Sequence, residues 1–338
     1  MRAFTILAGG LVLAVVAAAS GAAAQEATPP GPKPPDARWV ATAQFDNDLF
    51  MRSDGHYTHG TRLAVLPPAA PRSESFVRGL FALVPDVGNA QSARVGFVLG
   101  QTIFTPKDTT RSEVIPNDRP YAGWLYVGFT ATVRSVERLD TFEFSVGVVG
   151  PSSLAEQAQA EVHRHLGIPS PNGWANQLHD EAALLALYDR KQKLVPAKPG
   201  NGLRGELIGN YGFALGNVYT LADAGIAGRI GFNMLDDFGP PRIEPSLAGF
   251  DAFDAGLGAY LFVAGNVALV ARNIFLDGNT FRNSPHVTKE PFLMEGTAGV
   301  VVRLGAVRLS YSQTFHSREF RDQRNTDRYG SIGMSVQF

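Results

Sequence analysis

The feature that most constrains this chain is its end, Tyr329 to Phe338. There Ile332, Met334, Val336 and the terminal Phe338 alternate with Ser331, Gly333, Ser335 and Gln337. Successive side chains of a strand point to opposite faces, so this pattern sets one wall in lipid and the other in a wet lumen. A C-terminal aromatic closing such a strand is typical of outer-membrane barrels. The fold expected is all-β, a transmembrane antiparallel up-and-down β-barrel.

The other end agrees. Arg2 supplies a short basic region, Ile6 to Ala19 an apolar core, and Ala22-Ala23-Ala24 a small-residue cleavage site. This reads as a secretory signal over residues 1–24, removed after Ala24. Residues 25–36 are Pro-rich and polar, a periplasmic lead-in, and residues 37–338 form the barrel domain.

A mean hydropathy of −0.03 and 18% charged residues exclude a bundle of membrane helices. A barrel hides among such compositions because only alternate residues meet lipid. The net charge of −1 gives no sign of a nucleic-acid surface. Zero cysteines exclude a disulfide framework and a thiolate metal site.

Twelve strand-like segments follow, near 38–47, 57–66, 93–104, 121–135, 139–150, 201–213, 219–233, 252–263, 266–274, 291–303, 306–316 and 328–338. The dyad pattern is clear where Phe142, Phe144, Val146 and Val148 alternate with Thr141, Glu143, Ser145 and Gly147. Ile226, Ile230 and Phe232 likewise oppose Arg229. With a periplasmic N-terminus, the long outer connections are 48–56, 105–120, 151–200, 234–251, 275–290 and 317–327. Inner turns fall at 136–138, Leu215-Gly216-Asn217, Gly265-Asn266 and Gly305-Ala306, and only 67–92 breaks the rule of short inner turns. A closed barrel has no edge that demands a partner, so a monomer is expected.

Three clusters on the outer rim could carry chemistry. In the longest connection, Ser153 and Glu156 have the S-x-x-E form of a capping box, and Gly167 stands where a helix would stop. Gln159 and His163, four apart, share one face of that helix, which reads either as a site or as a solvated lid. The second cluster, Phe45-Asp46-Asn47-Asp48-Leu49-Phe50 with Asp54-Gly55-His56-Tyr57-Thr58-His59-Gly60, offers calcium-type oxygen ligands or ordinary turn chemistry. In the third, Arg111 could meet a phosphate or an oxyanion, or pair with a neighbouring acid, and Asn117 to Trp124 follow it.

At these residues the chain resembles the outer-membrane lipid A 3′-O-deacylases of the LpxR type. The markers are Phe45–Phe50, His56–Gly60, Gln101–Pro106, Asn117–Trp124, and Gly150-Pro151 leading to Gln159 and His163, and they span most of the mature chain. The resemblance implies an enzyme that hydrolyses the 3′-acyloxyacyl ester of lipid A in the outer leaflet, with calcium required. It implies that Asn47 and Asp48 lie near the metal, with Asp48 a ligand. It implies a site hydroxyl at Thr58, and Gln159 and His163 on the helix, the histidine as general base. Where the family carries an oxyanion-stabilising lysine this chain has Arg111, and the glutamate expected shortly after the histidine falls near Pro169, within an altered and longer segment, with Glu181 or Asp180 as candidate replacements. The alternatives are an outer-membrane phospholipase with a serine nucleophile, for which His163 has no convincing serine partner, and a porin or structural barrel whose helix plugs the mouth.

Overall fold

A computed structural model describes residues 38–48, 56–82, 84, 90–197, 202–234, 236–239 and 256–338. The leader and the Pro-rich lead-in expected over residues 1–36 lie outside the described residues, as do Leu49, Phe50, Asp54 and Gly55 of the first outer connection. The strands are β1 (Val40–Asn47), β2 (His56–Leu66), β3 (Ser92–Thr105), β4 (Ala122–Arg134), β5 (Arg138–Val149) and β6 (Glu181–Val195). They continue with β7 (Leu203–Gly216), β8 (Tyr219–Phe232), β9 (Leu257–Asn273), β10 (Phe292–Leu304), β11 (Val307–His316) and β12 (Asp327–Gln337). Each pairs antiparallel with its neighbours in sequence, and β1 pairs with β12 to close the barrel. Reciprocal backbone bonds of 2.9 and 3.0 Å between Trp39 and Phe338 extend that seam. Closure leaves no unpaired edge in hydrocarbon, where an unpaired peptide group is costly. No helix among the described residues is long and apolar enough to cross a membrane.

The alternation sorts as the pattern demands. On β5, Thr141, Glu143 and Ser145 are buried inside while Val146 is exposed on the outer wall. On β8, Arg229 is buried and Ile226, Ile230 and Phe232 are exposed. Phe97, Leu99, Val127, Leu261 and Val263 continue the apolar outer row. The inward parity carries charge, and the charges are paired, as burial requires. Arg62 pairs with Glu143, and Asp140 takes Arg138 at 2.9 Å and Arg190 at 2.6 Å.

The strand number matches expectation, but two assignments change in compensating ways. β6 lies inside the segment 151–200 that was expected to be one connection. Its inward Leu185 and Leu187 join an apolar cluster in the lumen while Leu184 faces out, so both faces are apolar and the period-two signal vanishes. Conversely, the expected turn at Gly265-Asn266 is the middle of β9. Asn266 points into the lumen and donates to Asp223 at 3.1 Å, so a residue that resembles turn chemistry is there for a wet interior.

These changes move two connections. The turn at Asn217 lies at the end of the barrel that carries the 150–180 connection, and the segment beginning at Asn233 lies at the opposite end. The anomalous 67–92 connection, also at that opposite end, contains a helix, α1 (Pro71–Leu80). Its Val77 is fully buried against Ala93, Ala131 and Val133, three residues of outward parity, so α1 lies against the outer wall.

Segments fold inward at both mouths. At one end a short helical turn, α3 (Ile274–Asp277), folds inward, and Phe275 stacks on Phe104 at 4.2 Å between centroids. At the other, Asp237 and Phe238 are buried among Arg229, Arg308 and Tyr260 from three strands and Arg134 and Lys193 from two more.

Candidate active site

The expected helix forms as α2 (Ala155–Leu166), but its start differs. Ser153 does not cap it. Its Oγ donates to the Gly150 carbonyl at 2.5 Å, and Leu154, at φ 59°, is the cap residue with no side-chain bond. The reason is local crowding: a Cβ on Gly123 would stand 2.3 Å from Ser153 Oγ and 2.2 Å from Ala155 Cβ, so this turn is pressed onto β4. Gln101 Nε2 holds it there by donating to the Ser153 carbonyl at 2.6 Å. Gly167 ends the helix at φ 69°, a left-handed stop, as expected.

Pair registers define what α2 covers. Asn47 opposes His59, His59 opposes Ile103, and Ile103 opposes Gly123, so one row crosses β1 to β4 on a single face. That face shares the parity of Phe97 and Leu99 on β3 and is therefore the outer wall, not the lumen. A register shift between Tyr57 and His59 leaves Thr58 outside the ladder, re-aimed so that its hydroxyl meets that of Thr105 at 2.8 Å. Ala155, Ala158, Gln159, Val162 and His163 recur at three and four residues, one face of α2.

Between wall and helix is a pocket of about 50 Å³. The wall contributes Asn47, Asp48, Thr58, His59 and Ile103, and α2 contributes Ala158, Gln159, Val162 and His163. The five residues expected at the helix and at the first outer connection thus meet here. Ile103, Ala158 and Val162 were not anticipated as part of it, and His59 entered only within the second cluster; strand register brings His59 and Ile103 side by side.

The His163 ring is held in one tautomer. Nδ1 lies 2.7 Å from the Pro169 carbonyl oxygen, which can only accept, so Nδ1 carries the proton and Nε2 of the neutral ring keeps its lone pair. Pro169 lies in the altered segment near which the resemblance leads one to look for a glutamate, and its backbone oxygen orients the imidazole. Gln159 is buried, and its Oε1 accepts from the Trp174 indole at 2.8 Å.

Arg111 does not line the pocket. It stands half exposed on the β3–β4 connection, with Nε 3.9 Å from Glu113. Nor do the two proposed stand-ins for the missing glutamate reach it. Asp180 accepts from Ser152 N and Oγ at 2.7 and 2.8 Å, and Glu181 from Asn217, Asn279 and Thr280. Asp118, in the third cluster, braces the rim by accepting from His56, Lys107 N and Arg119 N. Burial alone would raise its carboxyl, but the His56 hydrogen bond and charge, with those N–H groups, hold it below the ordinary range.

Calcium takes six to eight oxygens, mixing carboxylate, carbonyl, hydroxyl and water. Among the described residues no three His, Asp or Glu side chains gather as a metal cluster. The pocket offers Asp48 as carboxylate, the Asn47 amide oxygen and the Thr58 hydroxyl, a set of hard donors that fits calcium in kind with a single formal charge. Low charge predicts weak affinity.

The family described as Outer membrane protein LpxR matches residues 11–338. Among solved structures, LpxR from Salmonella typhimurium is similar with a TM-score of 0.72 at 18% identity, covering 88% of this chain and 100% of that one. The β domain of the Bordetella autotransporter BrkA reaches 0.45 at 12% identity, covering 90% and 100%. Among curated proteins none matches at a significant level. With the match running through barrel, helix and pocket alike, the chain belongs to the LpxR family of outer-membrane proteins.

Proposed function

We propose that this chain hydrolyses the 3′-acyloxyacyl ester of lipid A in the outer leaflet of the bacterial outer membrane, as a single barrel whose α2 end faces outside. The observation that carries the reading is a histidine whose Nδ1 is fixed on the Pro169 carbonyl oxygen and whose ring lines a pocket on the outer wall. A porin has no use for a base there, whereas an acyl ester of a membrane lipid meets that wall directly.

His163 Nε2 takes a proton from water as the water oxygen attacks the acyl carbonyl, giving a tetrahedral oxyanion. When that intermediate collapses, the same imidazole returns the proton to the departing sugar alkoxide, and the free fatty acid leaves. Asp48 and Asn47 would hold calcium, which when bound supplies Lewis-acid polarisation of the acyl oxygen. Thr58 and Asn47 fix the water and the ester against the wall. A serine nucleophile is not required, and the serine nearest the helix, Ser153, is fully buried with its hydroxyl committed to Gly150. Arg111 lies outside the lining, so stabilising the oxyanion falls to groups within it.

The deciding experiment is mass spectrometry of lipid A after expression in a strain with unmodified lipid A, with and without a calcium chelator. The expected result is loss of the 3′-acyloxyacyl mass that the chelator prevents. Unchanged lipid A in both arms would sink the proposal, and fatty acid released from phospholipid instead would favour a phospholipase.

A further inference from the structure

The indole of Trp174 decides which end of the Gln159 amide faces the pocket. Trp174 opens a 3₁₀ turn (Trp174–Asn176) after Gly173, and a Cβ at Gly173 would stand 2.4 Å from the Tyr121 ring. The indole is almost wholly buried, packed with Ile103, Tyr121 and Ala155. The turn is strapped down on its far side, where Asn172 and Asn176 donate to the carbonyls of Thr109, Thr110 and Ser112. An indole N–H is a donor only, so the atom it meets at 2.8 Å must be the amide oxygen of Gln159. One lone pair of Oε1 is thereby taken and the amide is oriented, which leaves the two Nε2 hydrogens as its donors.

Resting on the ester-hydrolysis reading above, we infer that Gln159 is the oxyanion donor of the pocket rather than a metal ligand, and that Trp174 is the positioning residue that locks it so. A donor held by a buried ring needs no reorganisation as charge develops on the acyl oxygen, which is what such stabilisation requires. The arrangement also explains how the chain manages with Arg111 outside the lining.

The test uses the full-length barrel in detergent with lipid A as substrate. Gln159→Glu keeps the shape and can still accept from the indole, but has no N–H to give. Its kcat should fall about 10²–10³-fold, the usual loss for one oxyanion donor. Trp174→Phe keeps the ring and frees the amide to rotate; kcat should fall roughly tenfold with KM within about twofold, since the change acts on the transition state. Calcium titration of Trp174→Phe should match wild type. In ¹⁵N spectra of the indoles, the Trp174 N–H should move downfield in Gln159→Glu, as a bond to a carboxylate requires. Near-wild-type activity of Gln159→Glu, or tighter calcium binding by Trp174→Phe, would make Gln159 a ligand and overturn the inference. If wild type releases no acyl chain, the hydrolase reading fails first and takes the donor role with it. The indole shift alone then reports whether Trp174 holds Oε1.

Discussion

Two short bonds determine what the candidate site can do: Nδ1 of His163 to a backbone oxygen, and the Trp174 indole to Gln159. His163→Ala removes the base while leaving the strands untouched. Acyl release followed by mass spectrometry should drop about 10²–10⁴-fold, the usual worth of a positioned base, with heat-modifiable migration of the barrel preserved. Undiminished release would remove His163 from the mechanism. The residues of the site were partly legible in the sequence. The spacing of four puts Gln159 and His163 on one helix face and the polar groups of Asn47, Asp48 and Thr58 beside two strands, but only the family resemblance singled them out as a site. Ile103 and Trp174 give no such sign, because their relevance comes from a cross-strand register and a donor-only contact between distant segments.

At the scale of elements, the site is a helix laid on a strand, and Gly123 is what lets them touch. Gly123→Ala would push a methyl against Ala155 and Ser153 at 2.2 and 2.3 Å, closer than carbon atoms approach. The helix should lift, acyl release should fall tenfold or more, and limited proteolysis should open residues 155–167 while the barrel resists. A fully active Gly123→Ala would mean that α2 need not sit where it does. Reading strands from the pattern works where one face is polar, as on β5 and β8. It fails on β6, apolar on both faces, and on β9, where a lumenal Asn looks like a turn. Those failures offset one another in number but shift two connections from one mouth to the other.

For the whole molecule, the segments folded inward at the mouths set what a conductance measurement should show. Asp237 bridges Arg229 of β8 and Arg308 of β11, and Phe238 lies under Arg134 and Lys193. Wild type should be silent in planar bilayers at neutral pH, and Asp237→Ala should conduct, since two guanidinium groups then lose the carboxylate that draws the segment in. Conductance by wild type would return the porin to contention. The pH dependence has a defined sign. Burial would raise the Asp237 carboxyl, but Arg229 and Arg308 hold it down to about 2 from 3.8. The bridge therefore contributes fully above about pH 4 and is lost as pH falls toward 2. Wild-type conductance appearing in that window, and not between pH 5 and 8, is the expected signature.

The sequence by itself determined the architecture, because period-two alternation can be satisfied in a membrane only by strands closed on themselves. It also marked the helix by local spacing, and its family motifs marked most of the polar groups. What only the tertiary structure decided is the side on which they meet. A rim of polar residues reads as the mouth of a lumen, but strand parity and the Gly123 contact turn the pocket onto the outer wall, facing lipid. Parity is a global property of register across four strands, and no stretch of chain read alone contains it.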